Sequence, residues 1–346
     1  MSPIEAAIRA VEATPLPDPV TRLGIDLLVG QSRRKLAAAA PSAEARFART
    51  MIDHPIAEDT DTANEQHYEL PPVFFGLTLG PRRKYSCCLY ATGTETLEQA
   101  EILALEETVA HADLADGQHI LELGCGWGSL TLFMAGRYPD AKIVAVSNSA
   151  PQRAYIEAQA KTAGLANVTV ITADMNDFQP ERAFDRVVSV EMFEHMANWE
   201  TLLGRVRRWL APDGRLFLHV FTHRNQPYRF DKTDKTDWIA QHFFTGGIMP
   251  SEGLLRHFPE SFEIEQQWRW SGTHYQRTAI DWLANFDANR AGIDAVLADV
   301  YGKQAKLWRR RWRLFYLATA GLFGHANGDE WGVSHYRLRP APPSGA

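Results

Sequence analysis

Cysteine is scarce in this chain: there are three, and Cys87, Cys88 and Cys125 show no C-x-x-C or Cys/His ligand spacing. Neither a disulfide framework nor a metal site is expected, and the composition reads as that of a cytoplasmic protein. Basic charge is in deficit, with 36 Lys and Arg against 42 Asp and Glu and a pI near 6.1. Without a positive field, nucleic acid is not an expected partner. Long apolar runs are missing too. The greasiest late stretch, Leu314 to Gly324, is too short to cross a bilayer. Residues 1–30 carry Glu5, Glu12, Asp18 and Asp26 where a signal peptide needs an apolar centre. Stable membrane insertion is therefore not expected.

What is present is a chain of 346 residues, 45% hydrophobic. That suits one enlarged α/β domain or two closely packed parts. Its centre of organisation is His119 to Gly128, His-Ile-Leu-Glu-Leu-Gly-Cys-Gly-Trp-Gly. The run Ile120, Leu121, Leu123, broken only by Glu122, predicts a strand buried on both faces. Gly124, Gly126 and Gly128 then alternate before the helical pattern that begins at Ser129. Such a turn lets a ligand approach bare backbone beside free helix amides. A glycine turn that merely packs strand on helix is the plain alternative. The spacing is G-x-G-x-G, not the dinucleotide G-x-G-x-x-G. With Glu122 two places ahead of the first glycine, it resembles motif I of class I S-adenosylmethionine (SAM) methyltransferases.

Residues 1–66 read as two or three short helices in an N-terminal extension, with apolar spacing in Val20, Leu23, Leu27 and Leu28. His67 to Phe75 reads as a loop pressed onto the core, and a helix capped by Thr94 or Thr96 follows. Beyond the first strand, Lys142–Val146, Val168–Ile171, Phe184–Val190 and Arg215–Val220 are strands. Helices at Pro151–Ala163 and Trp199–Leu210 and a turn at Pro212-Asp213-Gly214 separate them. This alternation predicts an α/β, doubly wound Rossmann-like sheet over residues 67–346, with its binding crevice at the strand carboxyl ends.

The unusual clusters fall at those ends. Ser147-Asn148-Ser149 replaces the usual ribose-binding acid, leaving Asn148 and Gln152 to bind a diol by their amides. Asp174 can accept from an adenine amino group, with Met175 against the ring, although a helix cap is the alternative role for this aspartate. Glu191-Met192-Phe193-Glu194-His195 gathers two carboxylates and an imidazole, a recurring acid/base constellation. The alternative is a solvated helix start.

The E-L-G-C-G-W-G motif, S-N-S-x-x-Q, F-E-H and the upstream Y-S-C resemble the cyclopropane-fatty-acyl-phospholipid synthase superfamily of SAM-dependent enzymes. Within it, the chain looks closest to the coclaurine N-methyltransferase group. The resemblance covers about residues 65 to 339 and implies SAM as cofactor. For the N-methyltransferases it implies catalysis by Glu191, Glu194 and His195. For the lipid enzymes it implies a bicarbonate held at Cys87, Glu194, His219 and Tyr275. It further implies Ser86 at the cofactor and Tyr85, Phe243 and Trp331 at the acceptor or bicarbonate-like pocket. Glu191 departs from the lipid enzymes, which carry a small residue there.

Aromatic residues crowd 221–258 and 272–325, which are expected to form an inserted substrate-binding cap. The run Arg309-Arg310-Arg311 with Arg313 reads as a solvated helix face. The expected activity is SAM-dependent N-methylation of a small cyclic or aromatic amine. The alternatives are cyclopropanation or C-methylation of a lipid acyl chain, or SAM binding without turnover. A homodimer is compatible with all of these.

Overall fold

A computed structural model describes residues 3–14, 16–58 and 70–342. The central sheet has seven strands: β1 (His119–Leu123), β2 (Lys142–Ser147), β3 (Val168–Thr172), β4 (Phe184–Val190), β5 (Leu210–His223), β6 (Phe262–Ser271) and β7 (Trp331–Pro340). Their order is β3-β2-β1-β4-β5-β7-β6. β1 to β5 are parallel, Leu121 facing Val144 on one side and Val187 on the other. β7 enters antiparallel between β5 and β6. Ile120, Leu121 and Leu123 are wholly buried, as a central strand covered on both faces requires.

The described helices are α1 (Pro3–Ala13), α2 (Asp18–Ala37), α3 (Ala43–Thr50), α4 (Pro72–Thr78), α5 (Leu97–His111), α6 (Ser129–Arg137), α7 (Ala150–Thr162), α8 (Trp199–Trp209), α9 (Trp238–His242), α10 (Gly272–Ala288), α11 (Arg290–Tyr301) and α12 (Ala305–Gly324). Thr96 caps α5 through a reciprocal box with Gln99. The reversal of order between β1 and β4 opens the crevice where such sheets bind ligands.

Several expectations change. The expected loop at His67–Phe75 becomes helix α4 from Pro72, with proline in its first turn; residues 67–69 lie outside the described residues. Its Phe74 and Phe75 are wholly buried against Trp312. β5 runs on through Pro212-Asp213-Gly214, with its register against β4 shifting between Phe184 and Arg186. α2 is 20 residues long, and Val20, Leu23, Leu27 and Leu28 face outward, while Thr21 and Val29 are buried.

The arginine run is not simply solvated. Arg311 donates to Glu12 at 2.8 Å, and Arg313 grips Asp18 at 2.6 and 2.9 Å while also reaching Asp287. α12 thereby holds α1 and α2 in place. Among the described residues no helix is long and apolar enough to cross a membrane.

Candidate active site

The ends of β1, β2 and β4, with the loop after β3, surround one cavity of about 1210 Å³, counting its open mouth. After β1 the chain passes through Gly124, Gly126 and Gly128 at φ +76, +51 and +78°. A Cβ on Gly124 would meet Met192 at 2.6 Å, and one on Gly128 would meet Ile156 at 2.5 Å. At Gly126 nothing lies within 4 Å, so its bare backbone borders open cavity. Beneath the turn, Glu122 accepts from Thr131 Oγ1 at 2.5 Å, and burial pushes its carboxyl up to about 8.

Gln152 Oε1 accepts from Ser147 Oγ at 2.6 Å, while its buried Nε2 has no partner among the described residues. Trp127 Nε1 and Ser129 Oγ, also in the cavity wall, are likewise orphaned. Buried polar atoms left open in a cavity mark a place for a polar ligand. Asn148 stands exposed on the cavity wall, and Met175 is buried in it beside Asp174. Asp174 Oδ1 also accepts from Asn176 N at 2.7 Å, so it serves its local turn as well. This glycine-lined wall, with an acid below it and open amide and indole donors, fits SAM.

Across the cavity the backbone folds sharply. Glu191 sits at φ +47°, a strained value for a residue with a side chain. Its N–H donates to His219 O at 2.8 Å, and its carboxylate enters a ring of donors. Cys87 N donates to Oε1 at 2.8 Å, His219 Nε2 lies 3.2 Å from Oε1, and Tyr275 OH donates to Oε2 at 2.6 Å. Burial raises the Glu191 carboxyl above the usual range, opposed by Lys84, the Cys87 amide, the Tyr275 hydroxyl and His195.

Lys84 was not singled out by sequence, though it directly precedes Tyr85-Ser86-Cys87. It is buried in the cavity wall, and its Nζ donates to Ser86 Oγ at 2.5 Å and Cys87 O at 2.6 Å.

His195 lines the cavity, its ring 4.3 Å from that of Phe244. Burial, opposed by Glu191, lowers it to about 4, so the imidazole is neutral at pH 7. Tyr85 and Ser86 also line the cavity, Tyr85 lying between Phe75 and Trp282. Other residues named from sequence stand behind the wall. Glu194 is wholly buried, accepts from Phe221 N at 2.6 Å, and is pushed well up by burial and by Glu191. Cys87 reaches the ring of donors through its amide alone, its Sγ turning to Cys88 O. Phe243 stacks on Phe315 at 4.5 Å, and Trp331 Nε1 donates to Tyr228 OH at 3.3 Å. Neither lines the cavity.

The family model for mycolic acid cyclopropane synthetase matches residues 57–329. The chain belongs to this family. It is 36% identical over 285 residues to (S)-coclaurine N-methyltransferase of Thalictrum flavum subsp. glaucum, covering 81% of this chain and 79% of that one. It is 32% identical to the cyclopropane-fatty-acyl-phospholipid synthase of Escherichia coli strain K12, covering 78% of this chain and 66% of that one. A crystal structure of coclaurine N-methyltransferase bound to N-methylheliamine and S-adenosylhomocysteine superposes with TM-score 0.92 at 31% identity, over 98% of this chain and 100% of that one. The protein is thus a SAM-dependent methyltransferase of the class I fold.

Proposed function

We propose that this enzyme N-methylates a small cyclic or aromatic amine, with Glu191 and His195 holding the amine and taking its proton. The observation that carries this reading is the occupant of the Cys87, His219 and Tyr275 cluster. The resemblance assigns those positions to bicarbonate in the lipid enzymes, and here the Glu191 carboxylate makes hydrogen-bonding contact with all three. A second anion there would face both steric exclusion and charge repulsion. A substrate cation would face neither. The relatives named for N-methylation of alkaloids support the same direction.

SAM, when bound, supplies an electrophilic methyl group. Glu122, Gly124, Gly126, Asn148, Gln152, Asp174, Met175 and Ser86 would hold it along the cavity wall. The protein's remaining task is to align a nitrogen lone pair, which an ammonium lacks until a base removes its proton. Glu191, raised but still ionisable, suits that task. The neutral His195, packed on Phe244, flanks the same space. Glu194, held on Phe221 N, supports the turn that presents both. Helices α9 to α12 would act as the substrate cap, with Tyr85 offering an aromatic face to a bound cation from the cavity wall.

The test is Glu191→Gln and His195→Ala on an amine panel with labelled SAM. Each should lower turnover by ~10²-fold or more, the scale of general-base catalysis. SAM affinity should be unchanged by calorimetry. Full turnover in both variants would remove these residues from the chemistry.

A further inference from the structure

The proton taken from the amine ends on a carboxylate whose side chain is only 8% exposed, and it must leave that carboxylate before the next cycle. Behind Glu191 runs a line of rings. Glu191 Oε1 meets His219 Nε2 at 3.2 Å, and His219 Nδ1 meets His335 Nε2 at 2.8 Å. His335 Nδ1 meets His111 Nδ1 at 2.8 Å, and His111 Nε2 lies 3.5 Å from Glu107 Oε1. The fold builds this line from distant segments. His219 and His335 are register partners on β5 and β7. His111 ends α5, its ring stacked on Trp268 at 3.8 Å, and Glu107, one turn earlier, accepts from Trp270 Nε1 at 3.1 Å. His219 and His335 are wholly buried, the His111 side chain is 14% exposed, and that of Glu107 is 37% exposed.

We propose that His219, His335 and His111 are relay residues that carry the amine's proton from Glu191 to Glu107 and so to water, a role that rests on Glu191 being the group that receives it. Three neutral rings own three N–H protons, yet the line has four contacts to fill. The fourth proton is the one delivered to Glu191. It passes to His219 Nε2 as the Nδ1 proton of His219 moves to His335 Nε2. The Nδ1 proton of His335 moves to His111 Nδ1, and the Nε2 proton of His111 moves to Glu107, which releases it. Glu191 is then ionised with each ring in its other tautomer, and the line resets after product release, when a proton from water passes back from Glu107 through His111, His335 and His219 to Glu191 and leaves to water in the open cavity.

The surroundings keep any ring from trapping the proton. Burial holds His219 and His335 below the usual imidazole range, helped by Lys84, His111 and, for His335, His219. Burial and Arg337 do the same for His111 against the opposing charge of Glu107. His274 on α10 also feels Glu107, with Glu95. Glu191 itself is faced by Lys84, His195 and Tyr275. Two buried imidazoles with all four ring nitrogens engaged in one line, ending on a carboxylate at each side, exceed what packing alone demands.

His335→Gln tests the relay, because an amide can bond both neighbours but does not take up and pass on a proton. Turnover of the amine should fall about tenfold or more, less than the ~10²-fold or greater effect of a group that contacts the substrate directly. The amine KM, SAM affinity and thermal midpoint should stay near wild type, and the solvent deuterium isotope effect should rise. His111→Ala should slow turnover similarly, and imidazole in the buffer, entering the slot on Trp268, should restore it. Unchanged turnover in folded His335→Gln, or a slow His111→Ala that imidazole does not rescue, would overturn the relay. If the wild type methylates no amine, the functional reading fails separately. Nitrogen-15 NMR without substrate still decides the relay: Glu107→Gln should shift the ring nitrogens of His219, which it does not touch, and unmoved signals would count against it.

Discussion

At the residue scale, the proposed chemistry turns on where one carboxylate is held. Glu191 owes its place to a left-handed backbone turn and three hydrogen-bonding contacts, only one of which involves Cys87, and that one is an amide. Cys87→Ala keeps that amide, so amine methylation should stay within about twofold of wild type, the thiol being no part of the acid–base machinery. A larger loss in a folded variant would show that the sulfur matters. The pH profile carries a second expectation. The Glu191 carboxyl is raised, so the ionised base is lost as pH falls through a value above the ordinary carboxylate range. Activity should therefore fall on the acid side above that range, and Glu191→Gln should abolish this limb. His195, lowered to about 4, stays neutral throughout the window and adds no limb near neutrality.

The clustering of these groups was legible in sequence, because Glu191, Glu194 and His195 lie within five consecutive positions at a strand end. What could not be read was direction. Glu191 and His195 face the cavity, whereas Glu194 turns back to Phe221 N, and adjacency does not encode that divergence. Lys84 escaped notice as an ordinary lysine before an aromatic residue. His219 and His335 lie 116 positions apart and His111 and His335 224 apart; the pairing of β5 with β7 joins the first two, and the packing of α5 on β7 adds His111.

At the element scale, β1 to β5 announced themselves through apolar runs alternating with helices. β6 and β7 did not, because Glu263, Glu265, Arg337 and Arg339 face solvent and pair across the antiparallel ladder. Helix α4 hid behind its prolines, which start a helix as readily as they end one. The glycine turn after β1 was legible in full, and its function is testable. Gly126→Val places a branched side chain at φ +51° on the cavity wall, and SAM binding by calorimetry should be lost. Wild-type affinity would contradict the placement of the cofactor. Phe243 gives the opposite expectation. Packed on Trp312 and Phe315, it is a core residue, and Phe243→Ala should cost ~3–5 kcal/mol of stability in denaturant unfolding. The amine KM of the folded fraction should not change. A raised KM with full stability would return Phe243 to the substrate pocket.

At the scale of the whole molecule, the relatives include both amine and lipid enzymes, and the motif resemblance assigns positions of this chain to each pattern. Cys87, His219 and Tyr275, the positions that the resemblance assigns to bicarbonate in the lipid enzymes, here contact a carboxylate that the chain itself supplies. The central claim is that Glu191 has taken the place of an external anion. Its most direct test is methyl transfer from labelled SAM to an amine panel and to unsaturated phospholipid vesicles, each with and without added bicarbonate. The account predicts methylated amines, cationic ones bound better than neutral analogues, at a rate that bicarbonate does not change. Bicarbonate-dependent conversion of the vesicle lipids, with no amine methylated, would contradict it.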